Sequence, residues 1–142
     1  MRASVIAAAT GTLLLRAAAG DCHLTDEQFT KQLSRMKDWR GIYAVFKHNL
    51  PDCPDDGVFA EGYSEVIVVA LANRWSDLAT LQKLIARDTA FESFVYRHID
   101  ATTDIKDLRH ALINATTKCP DDATHLCDEI ARRCRSAIAE MP

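Results

Sequence analysis

The sequence predicts an all-α fold, a compact bundle of about six to seven short helices carrying disulfides. Three observations predict it. Apolar residues recur at three- and four-residue spacing from residue 29 onward. Ser, Thr and Asp stand where such stretches begin, as helix caps do. The one β-branched run, Val66-Ile67-Val68-Val69, has no second strand-like run to pair with, and a lone strand cannot satisfy its backbone groups. At 142 residues, 48% hydrophobic and 26% charged, the chain has the size and composition of one folded domain.

Taken in order, Thr25 and Gln28 form a capping box, followed by Phe29, Leu33 and Met36 at helical spacing. A second helix is predicted from about Asp38 to Asn49, burying Trp39, Ile42 and Phe46, with Gly41 as a possible bend at the join. Leu50-Pro51-Asp52-Cys53-Pro54-Asp55-Asp56-Gly57 breaks the pattern with two prolines and a closing Asp-Gly, the most conspicuous loop in the chain. Residues 58–75 are apolar over much of their circumference and read as a central buried helix. Ser76 or Asp77 caps the next helix, which turns Leu78, Leu81, Leu84 and Ile85 inward. Asp88 caps another, with Phe91, Phe94, Val95 and Ile99 on one face. Thr103 or Asp104 opens a third, carrying Ile105, Leu108, Leu112 and Ala115. After the turn Cys119-Pro120-Asp121-Asp122, a final helix places Leu126, Cys127, Ile130, Cys134 and Ile138 on one stripe.

The start of the chain differs from the rest. Arg2 precedes an uncharged, mainly apolar stretch over residues 3–15, and the small triplet Ala17-Ala18-Ala19 follows. Positive, apolar and small, in that order, is the layout of a secretory signal peptide. The stretch is shorter than the roughly 20 residues that cross a bilayer. The expected division is therefore a signal peptide over residues 1–19 and a single helical domain over 20–142. Asp21 before Cys22 excludes a lipoprotein, which needs a small residue there. The whole chain has 17 Lys and Arg against 20 Asp and Glu; removing Arg2 and Arg16 leaves 15 against 20, a net charge of −5. An acidic surface argues against nucleic acid, whose phosphates need clustered bases.

A catalytic reading finds little support. Gly62-Tyr63-Ser64-Glu65-Val66 begins like a nucleophile elbow but lacks the second glycine. No phosphate-cradling glycine loop is present, and the five histidines, His23, His48, His98, His110 and His125, include no pair at metal-ligand spacing. No cofactor is expected. Cys53 beside His48 has the residue types of a thiol–imidazole pair, but in an exported chain a loop cysteine reads first as a half-cystine. Asn114-Ala115-Thr116 matches a glycosylation sequon inside a helical pattern, where chance occurrence is the simpler reading. Arg132, Arg133 and Arg135 read as a solvated helix face or a minor docking patch.

Five cysteines, Cys22, Cys53, Cys119, Cys127 and Cys134, imply an even subset paired and one left over. If the first two helices fold as a hairpin, Cys22 and Cys53 meet at its open ends. A Cys119–Cys127 bridge would staple the last helix to the turn before it. Cys134 is then a buried free thiol, although it could replace Cys119 or Cys22 in a bridge.

The second half carries a further signal. Phe94-Val95-Tyr96-Arg97-His98-Ile99-Asp100-Ala101-Thr102 is followed by Asp107-Leu108, Asn114-Ala115, Cys119-Pro120 and Leu126-Cys127. Over residues 76–139 this pattern resembles the periplasmic immunity proteins that neutralise peptidoglycan amidase effectors of bacterial type VI secretion. The resemblance implies an exported, mostly helical, disulfide-bearing and often dimeric protein. It also implies a protein that occludes the cleft of a cysteine–histidine amidase and is not itself an enzyme. The secreted amidase would then be the partner, with no nucleic acid and no membrane involved once the signal is removed. On this reading the first candidate for the plugging element is the loop over residues 51–57, with Asp52, Asp55 and Asp56. The second is the corner over residues 97–104, where His98, Asp100 and Asp104 cluster between two helices. Two other classes stay open: an exported helical carrier for a small apolar ligand, and a hydrolase or redox enzyme built on Cys53 or Cys134.

Overall fold

A computed structural model describes residues 22–142; the expected signal peptide lies outside the described residues. Seven α-helices follow one another, with no strand among the described residues: α1 (Asp26–Leu33), α2 (Trp39–Asn49), α3 (Gly57–Asn73), α4 (Leu78–Ile85), α5 (Thr89–Arg97), α6 (Ile105–Thr117) and α7 (Thr124–Glu140). Single 3-10 turns, Trp75–Asp77 and Asp121–Ala123, lead into α4 and α7.

The caps explain most of the boundaries. Thr25 and Gln28 close a reciprocal capping box at 3.2 and 3.0 Å. Asp38 accepts from the Gly41 N–H at 2.8 Å, and Asp88 accepts from the Ala90 and Phe91 N–H groups, both at 3.1 Å. The Phe91 amide foremost, with the Lys47 ammonium and the Tyr43 hydroxyl, holds the Asp88 carboxyl below its ordinary range. Gly41 does not bend a join. It sits in the first turn of α2, where a Cβ would lie 2.6 Å from the Arg35 carbonyl oxygen, so only glycine allows α2 to start beside the end of α1.

Helix α3 is the hub. It runs past α1, α2 and α6, and α6 in turn packs on α7. Tyr63, Ile67, Val68 and Leu71 are buried along it. Where α1 meets it, Gly62 keeps the contact close: a Cβ there would stand 2.7 Å from Phe29 Cε1. The helix ends at Asn73, earlier than the sequence pattern suggests, for a reason supplied by α6. The buried Asn114 amide donates to the Leu71 and Ala72 carbonyls at 3.1 and 2.8 Å, satisfying acceptors that the helix end leaves open. Asn114 is 1% exposed, so the asparagine of the sequon is part of the core, while Thr116 is exposed.

An aromatic ladder joins four helices and ends beneath the candidate site. Phe29 packs on Tyr63 at 5.0 Å between ring centroids, Tyr63 on Phe94 at 5.1 Å, Phe46 on Phe94 at 4.9 Å, and Phe94 on His98 at 4.5 Å. Pairs at such spacing add roughly 0.5–1.5 kcal/mol each beyond area burial.

Two disulfides close the frame: Cys22–Cys53, spanning 31 residues, and Cys119–Cys127, spanning 8. Cys134 is free and fully buried on α7, which removes the alternative pairings. Burial pushes its thiol up to about 12. The disulfides suit an oxidising, exported setting. Among the described residues no helix is long and apolar enough to cross a membrane.

Candidate functional site

The loop between α2 and α3 is fastened at both ends. At its start, the Cys53 N–H donates to the Asn49 carbonyl at 2.8 Å, and the disulfide ties Cys53 to Cys22. Asn49 is itself buried; its amide donates to Gln32 Oε1 and the Tyr63 hydroxyl, each at 2.8 Å. At its far end Gly57 takes φ 51°, a left-handed conformation that suits glycine. Between these points the Asp55 carboxylate turns inward. One oxygen accepts from the Arg97 guanidinium and the other meets His98 Nε2 at 2.9 Å.

His98 links the loop to the middle of the molecule. Its ring is 2% exposed, and Nδ1 lies 2.9 Å from Ser64 Oγ on α3. Ser64 Oγ is also 2.7 Å from Asp100 Oδ2, and the other Asp100 oxygen accepts from the Thr102 N–H at 2.8 Å. One chain, Asp55–His98–Ser64–Asp100, therefore joins the loop, the end of α5, the hub helix and the corner before α6. The loop and corner candidates of the sequence are neighbours in one site.

Proton counting assigns the roles. Burial, the largest influence, lowers the His98 pKa, while Asp55 pulls it the other way; the ring is neutral at pH 7. Donating to Asp55 fixes the proton on Nε2 and leaves Nδ1 as an acceptor. The single Ser64 proton then serves two acceptors, Nδ1 and Asp100. Ser64, His98 and Asp55 are the residue types of a hydrolytic triad, but Ser64 is fully buried mid-helix. Its hydroxyl presents no nucleophile at the surface. The set works as a latch.

The six acidic and histidine candidates thus divide by placement. Asp55, His98 and Asp100 are bound into the latch. Asp52 and Asp56 stay exposed on the loop, and Asp56 makes no side-chain cap bond. Asp104 is exposed and caps α6, accepting from the Lys106 N–H at 2.7 Å. Ser64 entered the sequence reading only as an incomplete elbow, and Asn49 only as a helix end; a polar residue on an otherwise apolar helix face was the signal available for both.

Other features are accounted for locally. Cys53 is a half-cystine, so no thiol–imidazole pair exists at His48. Glu129 accepts from both Arg132 and Arg133. Its carboxyl is held at about 2, chiefly by the Arg132 bond. Among the described residues no three His, Cys, Asp or Glu side chains gather as metal ligands would. Comparison with protein-family models, curated proteins and solved structures finds no match to this chain.

Proposed function

We propose that this chain is a periplasmic immunity protein, binding a cysteine-dependent peptidoglycan amidase delivered by type VI secretion and occluding its active-site cleft. The observation that carries the reading is the braced loop. The disulfide, the buried Asn49 and the Asp55 latch fix its base, while Asp52 and Asp56 point to solvent. A protrusion already ordered in the free protein loses little conformational freedom on binding. Its two free carboxylates suit the imidazolium and basic groups at the mouth of a cysteine–histidine cleft. The resemblance over residues 76–139 and the disulfides that suit an oxidising compartment support the same reading. The protein acts by steric block, without catalysis of its own, either as a monomer or as a homodimer.

The test begins with the neighbouring reading frames, where a gene for a papain-like amidase is expected, and uses that amidase as the partner; its absence there would count against the reading. Co-expression in the periplasm is expected to protect cells from lysis, and the purified chain to inhibit hydrolysis of peptidoglycan. Asp52→Ala/Asp56→Ala is expected to weaken binding by at least about 2 kcal/mol, the scale of an interface hot spot, with the melting temperature unchanged. Lysis despite folded, exported protein would refute the function; unchanged affinity of the double variant would move the contact surface away from the loop.

A further inference from the structure

On the flank of the loop, α1, α3 and the start of α6 enclose an open groove of about 450 Å³. Its walls are mixed: Leu33 from α1 and Val58 and Val69 from α3 present apolar surface, Phe29 and Val68 lie buried beneath them, and Thr30, Thr102 and Thr103 add hydroxyls. Val58, at the end next to the loop, is 50% exposed, which is unusual for a valine in a molecule that buries nearly all its large apolar side chains. The rim is charged with one sign only. Glu61, Glu65, Asp104 and Asp107 line the groove, with no lysine, arginine or histidine among the lining residues. None of the four forms an ion pair among the described residues.

This arrangement is poor for the chain in isolation. Glu61 and Glu65 stand one turn apart on α3, both exposed, and like charges at that spacing repel by a few tenths of a kcal/mol. The exposed half of Val58 beside them adds nothing to folding. Both features become favourable when a basic, apolar-edged surface covers them. A point cation fits less well, because the carboxylates are spread along the groove and do not converge. Anionic ligands are repelled outright.

We infer that this groove is a second docking element for the same partner. Resting on the immunity reading above, it receives a segment of the amidase that carries lysine or arginine side chains around one or two apolar ones. Val58 marks where groove and loop meet, so the two elements form one continuous surface: the loop enters the cleft while the groove grips the rim. The carboxylates steer the encounter, which gives them their main effect on the association rate and its salt dependence. The loop acts mainly on dissociation.

The experiment measures association and dissociation of the amidase identified under the proposed function on immobilised full-length mature protein across a range of salt. Glu61→Gln/Glu65→Gln is expected to slow association about tenfold at low salt and to flatten its salt dependence. Glu61→Lys/Glu65→Lys should slow it further. Asp104 is left intact because it caps α6. Thermal melting separates this from damage to the fold: relief of repulsion predicts an equal or higher melting temperature for the glutamine variant. Wild-type rates and salt dependence in both variants would overturn the groove proposal and leave the immunity reading standing. Failure of the wild-type protein to bind the amidase would overturn both.

Discussion

Replacing Asp55 by alanine isolates the latch. The substitution strips His98 Nε2 of its partner while the ring stays 2% exposed, and leaving a buried donor unsatisfied costs about 1–3 kcal/mol. The Arg97 arm adds little, since that side chain is 56% exposed and pairs of this kind contribute about 0–1 kcal/mol. The two together predict a loss of about 1–4 kcal/mol, equivalent for a domain of this size to a fall of about 4–16 °C in melting temperature. Urea and thermal unfolding followed by circular dichroism measure it. Arg97→Ala is expected to cost under about 1 kcal/mol, and Asp55→Asn to recover part of the loss, because an amide oxygen still accepts from Nε2. If Asp55→Ala costs no more than Asp52→Ala, the latch does not hold the loop and the bracing argument fails. For the same reason Asp55 is kept intact when the loop's contact with a partner is tested.

Stability is expected to fall in two pH windows. The folded His98 pKa lies below its ordinary 6.5, so its contribution is present above 6.5 and is lost as pH falls through the folded value. Glu129, held at about 2 against an ordinary 4.5, loses its contribution between those limits; a urea midpoint that stays flat from pH 7 to pH 3 would contradict both. Loop-entropy scaling puts removal of Cys22–Cys53 at about 3.5–4 kcal/mol and of Cys119–Cys127 at about 2.5 kcal/mol. Paired serine variants should therefore show the larger fall in melting temperature for the longer span, and the opposite order would refute the scaling. Cys134, buried and raised to about 12, is expected to resist a thiol-reactive dye in the native protein and to react stoichiometrically once urea unfolds it. Fast labelling of the native state would show that α7 opens.

The helices were legible because their signals are local. Apolar spacing and caps depend on residues within one or two turns, and the seven stretches they mark are the seven helices observed. What escaped depends on distant partners. Gly41 looks like a flexible joint until the Arg35 carbonyl is brought against it. The end of α3 is decided by Asn114, some 42 residues away in sequence. The candidate site shows the same limit. Loop and corner stood as separate candidates because 43 residues separate Asp55 from His98, and no periodicity couples them. Ser64 read as a failed motif because a buried serine inside a helix announces nothing until its two partners are placed beside it.

The order of the cysteines along the chain has a consequence for how the molecule is made. A polypeptide threaded amino end first into an oxidising space delivers its thiols in sequence, and here each bridge joins consecutive ones: Cys22 to Cys53, then Cys119 to Cys127. The first pair can close before the third thiol arrives. The second spans only 8 residues, so its partners meet almost as they emerge. Cys134, the one thiol with no partner, comes last, seven residues after Cys127, and it is packing of α7 that withdraws it from solvent. The linear arrangement thus lets the first bridge close without competition, and leaves burial on α7 to keep the fifth thiol out of the second.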